Sequence, residues 1–482
     1  MLSKEKALEA ARTLLSDARA VEATRLNRIH EALKPTPPAP ADPNDPGKWH
    51  HARVLMPDDA PPQMKELARE AETNYLPLLV KTFGQVMKAD GYISTSDEGA
   101  VEPWQWWLRN RMNARQTGLH RAVLAYGVAY ATVLPGTYGR GEPGPAIGTY
   151  SPRQMTAAYA SDDDEWPMLA AYVDRKHVVL LDEEAEYRFG IEDRLATSGP
   201  QPAASVQYGP GWLTYLDTKV HNLGITPVVR YLDRNLLAGE ESYGIVEPLI
   251  VINDRINELT FQEQVKHFFQ AFRQRYAIGW VPKSEEDRLR SGSGRMWFID
   301  EDPEAVKIGE FASDPTDLKL REASIRDFAA IGQIPAQTMG IDGISNISDA
   351  TLAGLEAAKN REVAEITTSV GESHEQMLRL AAYVAGNQAA ADDYDAELRW
   401  QDFEARSYAA VIDGLGKLVT MLGLDPEIAL EDVPGMTGQR LERAKQALRM
   451  SRARQSLAGS TAGPSRVSEE STGGASGADF GG

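Results

Sequence analysis

Cysteine is absent from all 482 residues. Its absence excludes a disulfide framework, a Cys-ligated zinc or iron–sulfur centre and a thiol nucleophile. Positive charge is in deficit: 51 Lys and Arg face 70 Asp and Glu, a net charge of −19. Phosphate binding is carried by Lys and Arg, so the chain presents no generally basic surface to nucleic acid. Any DNA it meets must meet a local patch, or a surface built not to stick. Long apolar runs are missing too. The longest, Ala122 to Leu134, is interrupted by Gly127 and Thr132, short of the roughly 20 residues a bilayer requires. Met1-Leu2-Ser3-Lys4-Glu5-Lys6 leads into a charged amphipathic helix, without the apolar core of a signal peptide. The sequence therefore predicts no membrane partner and assembly in the cytoplasm, and the Asn346-Ile347-Ser348 sequon is read as chance.

Catalytic signatures are lacking as well. There is no Gly-x-x-x-x-Gly-Lys-Ser/Thr, no Gly-x-Ser-x-Gly elbow and no His-x-x-x-His pair. His50 and His51 are adjacent, and His120, His267 and His374 read as isolated, satisfied or solvated side chains. Gly139-Arg140-Gly141-Glu142-Pro143-Gly144 fits G-x-G-x-x-G, but a dinucleotide site requires a helix after the motif. Pro143, Pro145 and a strand-like 147–150 follow instead, so a hairpin loop is expected. The cluster Ser161-Asp162-Asp163-Asp164-Glu165 lacks the spaced ligands and Gly of a calcium loop and reads as solvated. No catalytic, cofactor or metal residue is assigned.

What is present is organisation. With 42% hydrophobic and 25% charged residues the composition is that of a folded protein. At about 150 residues per domain the length suggests roughly two to four domains. Residues 1–33 read as a helix with Leu8, Ala11, Leu15 and Ala18 on one face, ended by the Pro-rich linker 35–40. Helical periodicity resumes over 62–88, and a Trp-rich helix spans 102–125 with Trp104, Trp106 and Trp107. From 127 to 233 the period turns towards two, with strands expected at 128–134, 168–173, 177–181, 212–216 and 228–232.

Pro248 opens a helix predicted to reach Phe272, about 37 Å long. It carries two apolar stripes: Leu249, Ile252, Ile256 and Leu259, then Phe261, Val265, Phe268 and Phe272 on a shifted phase. Two stripes suggest two neighbours, as when a helix is wedged between copies of itself. A small β-rich insertion follows, with strands at 275–281, 296–299 and 306–308, before a returning helix announced by Asp314-Pro315 and ending at Ile331. An irregular stretch, 334–346, leads to Ser348, which caps a helix over 349–385, about 55 Å long. Its register is Val363, Ile366, Val370, Ser373, Met377, Leu380 and Val384. A strand at 397–400 and helices at 404–422 and 437–449 complete the chain; from Ser451 the composition turns to Ser, Gly and Ala and predicts disorder. The class is α+β, with no internal repeat.

The order of these elements resembles one family. Ala125-Tyr126-Gly127-Val128-Ala129-Tyr130 leads into a β-rich region holding Tyr150-Ser151-Pro152 and His221-Asn222-Leu223-Gly224-Ile225-Thr226-Pro227. A long helix, a β module opening Gln274-Arg275-Tyr276-Ala277-Ile278-Gly279, a returning helix, Ile334-Pro335, Gly340, Ser345-Asn346-Ile347-Ser348-Asp349-Ala350 and the very long helix follow. From about residue 60 to 450 this resembles the portal, or head-to-tail connector, protein of long-tailed bacteriophages. The resemblance implies a ring-forming fold. Its parts would be an N-terminal helix and linker (1–61), a wing (62–247), stem helices (248–272 and 315–334) and a clip (273–314). A tunnel loop (335–348), a long helix returning to the wing (349–403), a helical crown (404–450) and a disordered tail (451–482) would follow.

It further implies a homo-oligomeric ring of about twelve copies at one capsid vertex. DNA would be packaged and ejected through its channel without specific binding. Partners would be the major capsid protein and scaffold, the terminase large subunit, and the head–tail adaptor that carries the tail. The ATPase is the terminase, so no cofactor is expected. On this reading Leu249, Ile252, Ile256, Leu259, Val265, Phe268 and Phe272 pack between subunits in the stem. Gln337, Thr338, Asp342, Ser345, Asn346, Ser348 and Asp349 face DNA, and no Lys or Arg lies between 335 and 349. A constriction around moving DNA should avoid phosphate contacts, each of which is a barrier to sliding. Clip acids Asp300, Glu301, Asp302, Glu304 and Glu310 could steer a basic partner, or form a solvated rim. The alternatives are another phage head or scaffold ring protein and, further off, a cytoplasmic α+β metal-dependent enzyme.

Overall fold

The computed structural model describes residues 1–15, 19–34, 59–94, 101–138, 141–161, 163–174, 177–191, 213–235, 237, 240–271, 275–278, 296–299, 307–310, 317–341, 349–401, 408–430, 433, 436 and 438–461. Among these, helix makes up 55% and strand 21%, which places the chain in the mixed class expected. Two compact units emerge, residues 1–405 and 406–482.

In the first unit, α1 (Lys4–Thr13) and α2 (Arg19–Leu33) are followed by α3 (Pro62–Glu70) and α4 (Leu76–Val86), then β1 (Ala89–Ile93). Next come α5 (Val101–Arg109) and α6 (Met112–Tyr126). The helices expected over 62–88 and 102–125 are thus each divided in two, while residues 16–18 between α1 and α2 lie outside the described set. The Trp-rich one breaks at Arg111, whose φ of 57° is left-handed. Asn110 holds the break by donating to Trp106 O at 2.9 Å and to Tyr138 Oη at 2.8 Å, while Trp107 Nε1 donates to Asn113 Oδ1 at 2.9 Å. At the far end of α6, Gly127 takes φ 81°, and a Cβ there would lie 2.6 Å from the Gly244 nitrogen. Only glycine lets the chain turn from α6 into the sheet so close to another backbone.

Strands β2 (Val128–Tyr138) and β3 (Glu142–Tyr150) pair antiparallel; of the stretch expected to be a hairpin loop, Glu142, Pro143 and Gly144 already belong to β3, and Gly139 and Arg140 lie outside the described residues. The register sets Pro135 opposite Pro145 and Gly136 opposite Gly144. Strands β4 (Met155–Ala158), β5 (Leu169–Val173), β6 (His177–Leu181), β7 (Ala185–Ile191) and β8 (Leu213–Val220) make a five-stranded antiparallel meander. Of these, β4 and β7 were not anticipated. In β7 the buried Glu186, 3.3 Å from Lys219 Nζ, interrupts the apolar signal. The face of this sheet holding Val178, Leu180, Tyr187 and Phe189 packs on Ala7, Ala11, Leu14 and Leu15. Strand β9 (Val228–Leu232) joins β2, giving the order β3-β2-β9.

Helix α7 (Ile250–Ala271) is preceded by a 3₁₀ turn over Glu247–Leu249. Three short strands, β10 (Arg275–Ile278), β11 (Met296–Ile299) and β12 (Lys307–Glu310), form a mixed sheet, with β10 parallel to β11 and antiparallel to β12. Helix α8 (Asp317–Ile331) returns beside α7, and α9 (Asp349–Ala385) has the predicted bounds. A single turn, α10 (Gln388–Ala391), leads to β13 (Glu397–Trp400), which pairs with β1 across the length of the unit.

Helix α9 organises the core. Val363, Ile366, Val370, Met377 and Leu380 are at most 2% exposed, packed beneath β2, β3 and β9 and against α5. Ser369 Oγ donates to Leu232 O at 2.9 Å and Ser373 Oγ to Arg230 O at 3.2 Å, so the helix satisfies carbonyls of β9.

The second unit contains α11 (Tyr408–Leu422), α12 (Pro426–Ala429) and α13 (Gly438–Thr461). The last corrects an expectation: residues 451–461 are helical, not a tail. Ala, Arg, Gln and Leu favour helix there, and Arg452 Nη2 reaches Asp425 Oδ1 at 3.0 Å, beyond the point where the helix was expected to stop. Residues 462–482 lie outside the described set.

Candidate channel and ring surfaces

Helices α7 and α8 meet along their length in opposite directions. Arg255 Nη2 reaches Asp327 Oδ2 at 2.8 Å, and Arg321 Nε donates to Thr260 Oγ1 at 2.9 Å, so later positions on α7 meet earlier ones on α8. At their base Leu249, Ile250 and Ile256 are buried with Ile325 and Phe328. Asn253 and Asn257, both fully buried, clamp the connection between α3 and α4. Asn253 Oδ1 accepts from the Tyr75 N–H at 3.0 Å and Asn257 Oδ1 from the Thr73 N–H at 2.8 Å. These two bonds are why the predicted 62–88 helix is interrupted at 72–75.

This geometry corrects the assignment of the first stripe. Leu249 (1% exposed) and Ile256 (0%) are spent inside the chain and have no surface left for a neighbouring copy. Ile252 is partly buried against the same core. Leu259, Phe261, Val265 and Phe268 are half-buried, and the first three join none of the hydrophobic clusters among the described residues. Phe272 lies outside the described set. Val251, not singled out by periodicity, is 64% exposed on the same helix.

Beyond α8 the chain makes a tight corner. Gln333 (φ 50°) and Gly340 (φ 79°) are left-handed and flank a 3₁₀ turn, Ala336–Met339, anchored by the buried Ile334 and Met339. Gln337 is half-buried and Thr338 exposed. Asp342, Ser345, Asn346 and Ser348 lie outside the described residues, and Asp349 begins α9. Among the clip acids, Asp300, Glu301, Asp302 and Glu304 lie outside the described set, while Glu310 ends β12.

A cleft of about 270 Å³ sits where the turn before α7, the end of α8 and the end of β9 meet, lined by Asp233, Arg234, Ser242, Leu249, Gln333 and Glu362 among others. Arg234 pairs with Glu362 and lies 3.8 Å from Asp233, whose carboxylate also accepts from Ser242 Oγ. Burial raises the pKa of both carboxyls, and Arg234 opposes the shift. The network ties the end of β9 to α9. It is a structural joint, with no convergent nucleophile or base.

Sequence reading missed one constellation entirely. His120 of α6 and His374 of α9, 254 positions apart, face each other with Nε2···Nε2 at 2.8 Å. His120 Nδ1 lies 3.0 Å from Met87 O, and Tyr231 Oη lies 3.0 Å from His374 Nδ1. One proton arrangement satisfies the three contacts of the histidine rings, leaving Tyr231 Oη beside Met377 Sδ at 3.3 Å without a second proton to donate. His120 Nδ1–H donates to the carbonyl, His374 Nε2–H donates to His120 Nε2, and Tyr231 donates to His374 Nδ1. Both rings are then neutral. Burial pushes the His120 pKa down to about 4, and burial together with His120 pushes His374 well below the ordinary histidine value. Trp107 meets the edge of His374 with ring centroids 5.0 Å apart. Closed to water on every side, the chain of rings pins α6, α9 and β9 together. No spacing rule links residues so far apart.

Among the described residues no group of three or more His, Asp or Glu could hold a metal, and no helix is long and apolar enough to cross a membrane.

The profile of the family described as phage portal protein, SPP1 Gp6-like, matches residues 30–455. No curated protein matches the chain. Solved structures similar to it include the neck of an empty gene transfer agent (GTA) particle computed with C6 symmetry. That match has a TM-score of 0.44 and 15% identity, covering 77% of this chain and 92% of that one. The virion of a native GTA particle matches with a TM-score of 0.43 and 16% identity over 77% and 92%. The neck of a native GTA particle computed with C12 symmetry matches at 0.42 and 16% over 78% and 93%.

Proposed function

The chain belongs to the SPP1 Gp6-like phage portal protein family, a structural component of the particle and not an enzyme; from that premise we propose that it closes into a ring of about twelve copies at one capsid vertex. The terminase would dock on this ring and drive DNA through its channel, and the adaptor and tail would later attach to the same ring. The match across residues 30–455 carries this reading.

Within it, residues 62–247 form the wing, α7 and α8 the stem, 273–314 the clip, 335–348 the tunnel loop and 404–450 the crown. The half-buried Leu259, Phe261 and Val265 on α7 support a head-to-tail contact in the stem, since each copy in a closed ring lies between two neighbours. The polar run Gln337, Thr338, Asp342, Ser345, Asn346, Ser348 and Asp349 suits a passage that does not hold phosphate. The clip acids Asp300, Glu301, Asp302, Glu304 and Glu310 suit a basic adaptor.

Native mass spectrometry and negative-stain imaging of the purified chain test the proposal. Closed rings with a central hole are expected; a persistent monomer or dimer overturns it. Deleting residues 340–347 should leave rings intact and abolish DNA packaging or retention, and normal packaging would remove the loop from the channel.

A further inference from the structure

The net charge of −19 is unevenly placed. Residues 406–482 contain nine basic and nine acidic side chains, so the whole surplus of negative charge lies in residues 1–405. Six of those nine basic residues fall in α13: Arg440, Arg443, Lys445, Arg449, Arg452 and Arg454, against one acid, Glu442.

At about 3.6 residues per turn this helix has two distinct basic sides. Arg449 and Arg452 lie on one side. Arg449 Nη2 reaches Glu427 Oε2 at 2.9 Å and Arg452 Nη2 reaches Asp425 Oδ1 at 3.0 Å, so that side is neutralised within the unit. The other side presents Arg440, Arg443 and Arg454, all exposed and with no ion pair among the described residues. Between them stand Ala447 and Ser451, also exposed. Arg443 and Arg454 are separated by about 16 Å along the axis.

We propose that this arginine face of α13 binds the phosphate backbone of duplex DNA. It rests on the portal reading for which polyanion each copy meets. The chemistry of the face favours phosphate over an acidic protein. Protein interfaces anchor on large apolar side chains in pockets, and here the arginines are spaced by small residues. Guanidinium groups projecting from a smooth surface match sequence-independent contact with phosphates. The internal pairing on the opposite side keeps the helix in place and leaves the exposed Arg440, Arg443 and Arg454 for a ligand. Three arginines per copy give weak, salt-sensitive contact, reinforced by repetition around a ring.

Fluorescence anisotropy of the full chain with a labelled duplex of about 30 base pairs, at about 50 and about 200 mM salt, tests the inference. The wild type should bind and weaken steeply with salt. The triple variant Arg440→Gln, Arg443→Gln, Arg454→Gln should bind about tenfold or more weakly at low salt, with a log–log salt slope smaller by about 3. Arg→Lys at the same three positions should keep most of the slope. Equal duplex binding by the Gln variant, with its helix content unchanged by circular dichroism, overturns the proposal. So does labelled polyglutamate binding as tightly as the duplex at equal charge, which would make the face a protein-docking site. Native mass spectrometry on the same samples separates this from the portal reading. Rings that bind no duplex refute the inference alone. A chain without rings whose duplex binding is lost in the Gln variant refutes the ring and supports the arginine face.

Discussion

Helices α7 and α9 are both long, both apolar in part, and both tied to the same core, yet they use their side chains differently. Every apolar position of the α9 register from Val363 to Leu380 is buried by elements of the same chain. In α7 only the base is filled in this way, and Leu259, Phe261 and Val265 stay half-buried. The polar residues differ in kind too. Among the buried polar residues of α9 is His374, a histidine that can take up a proton; those of α7 are Asn253 and Asn257, which cannot. One helix is completed by its own fold, and the other keeps a half-buried apolar face, the one proposed above for the ring contact.

Acid should separate the two most strongly. Both histidines are neutral in the fold and take up a proton near pH 6.5 once unfolded, so stability is full above that value and falls as pH drops towards about 4. The loss should be about 1.4 kcal/mol per pH unit for each histidine, read from urea midpoints at pH 7 and pH 5. His374→Gln should flatten the dependence; an unchanged profile would show that the pair does not report on α9 docking. Truncating Ile366 to Ala, under the sheet, should cost about 3 kcal/mol, measured by thermal or urea unfolding. A cost below about 1 kcal/mol would mean the site collapses onto its neighbours.

Asn257→Ala strands the Thr73 N–H and should cost about 1–2 kcal/mol. Hydrogen exchange should then quicken at 72–75 before it does in α9. Smallest in a single subunit is Phe261→Ser with Val265→Ser, within about 0.5 kcal/mol. That pair should nevertheless weaken ring closure in native mass spectrometry. Rings as stable as wild type would place the ring contact elsewhere.

How much of this was legible follows from distance along the chain. The register of α9 and the bounds of β6 and β9 are local patterns, and they stand where periodicity put them. The break at Arg111 was not legible, because no glycine or proline marks it. Nor was the pairing of β1 with β13, or of His120 with His374, which join opposite ends of the unit. The α7 stripes were seen, but which stripe the chain keeps for itself depends on α3, its connection to α4, and α8, which a helical wheel of α7 does not contain.

The three-stranded sheet β3-β2-β9 has one further consequence. Its outer strand β3 carries Pro143 and Pro145, neither with an N–H to offer a new strand. At its other edge, the carbonyls of Arg230 and Leu232 on β9 are occupied by serine hydroxyls of α9. A sheet so blocked cannot template its own extension, and subunits crowded together at high local concentration are guarded against strand-to-strand aggregation through it.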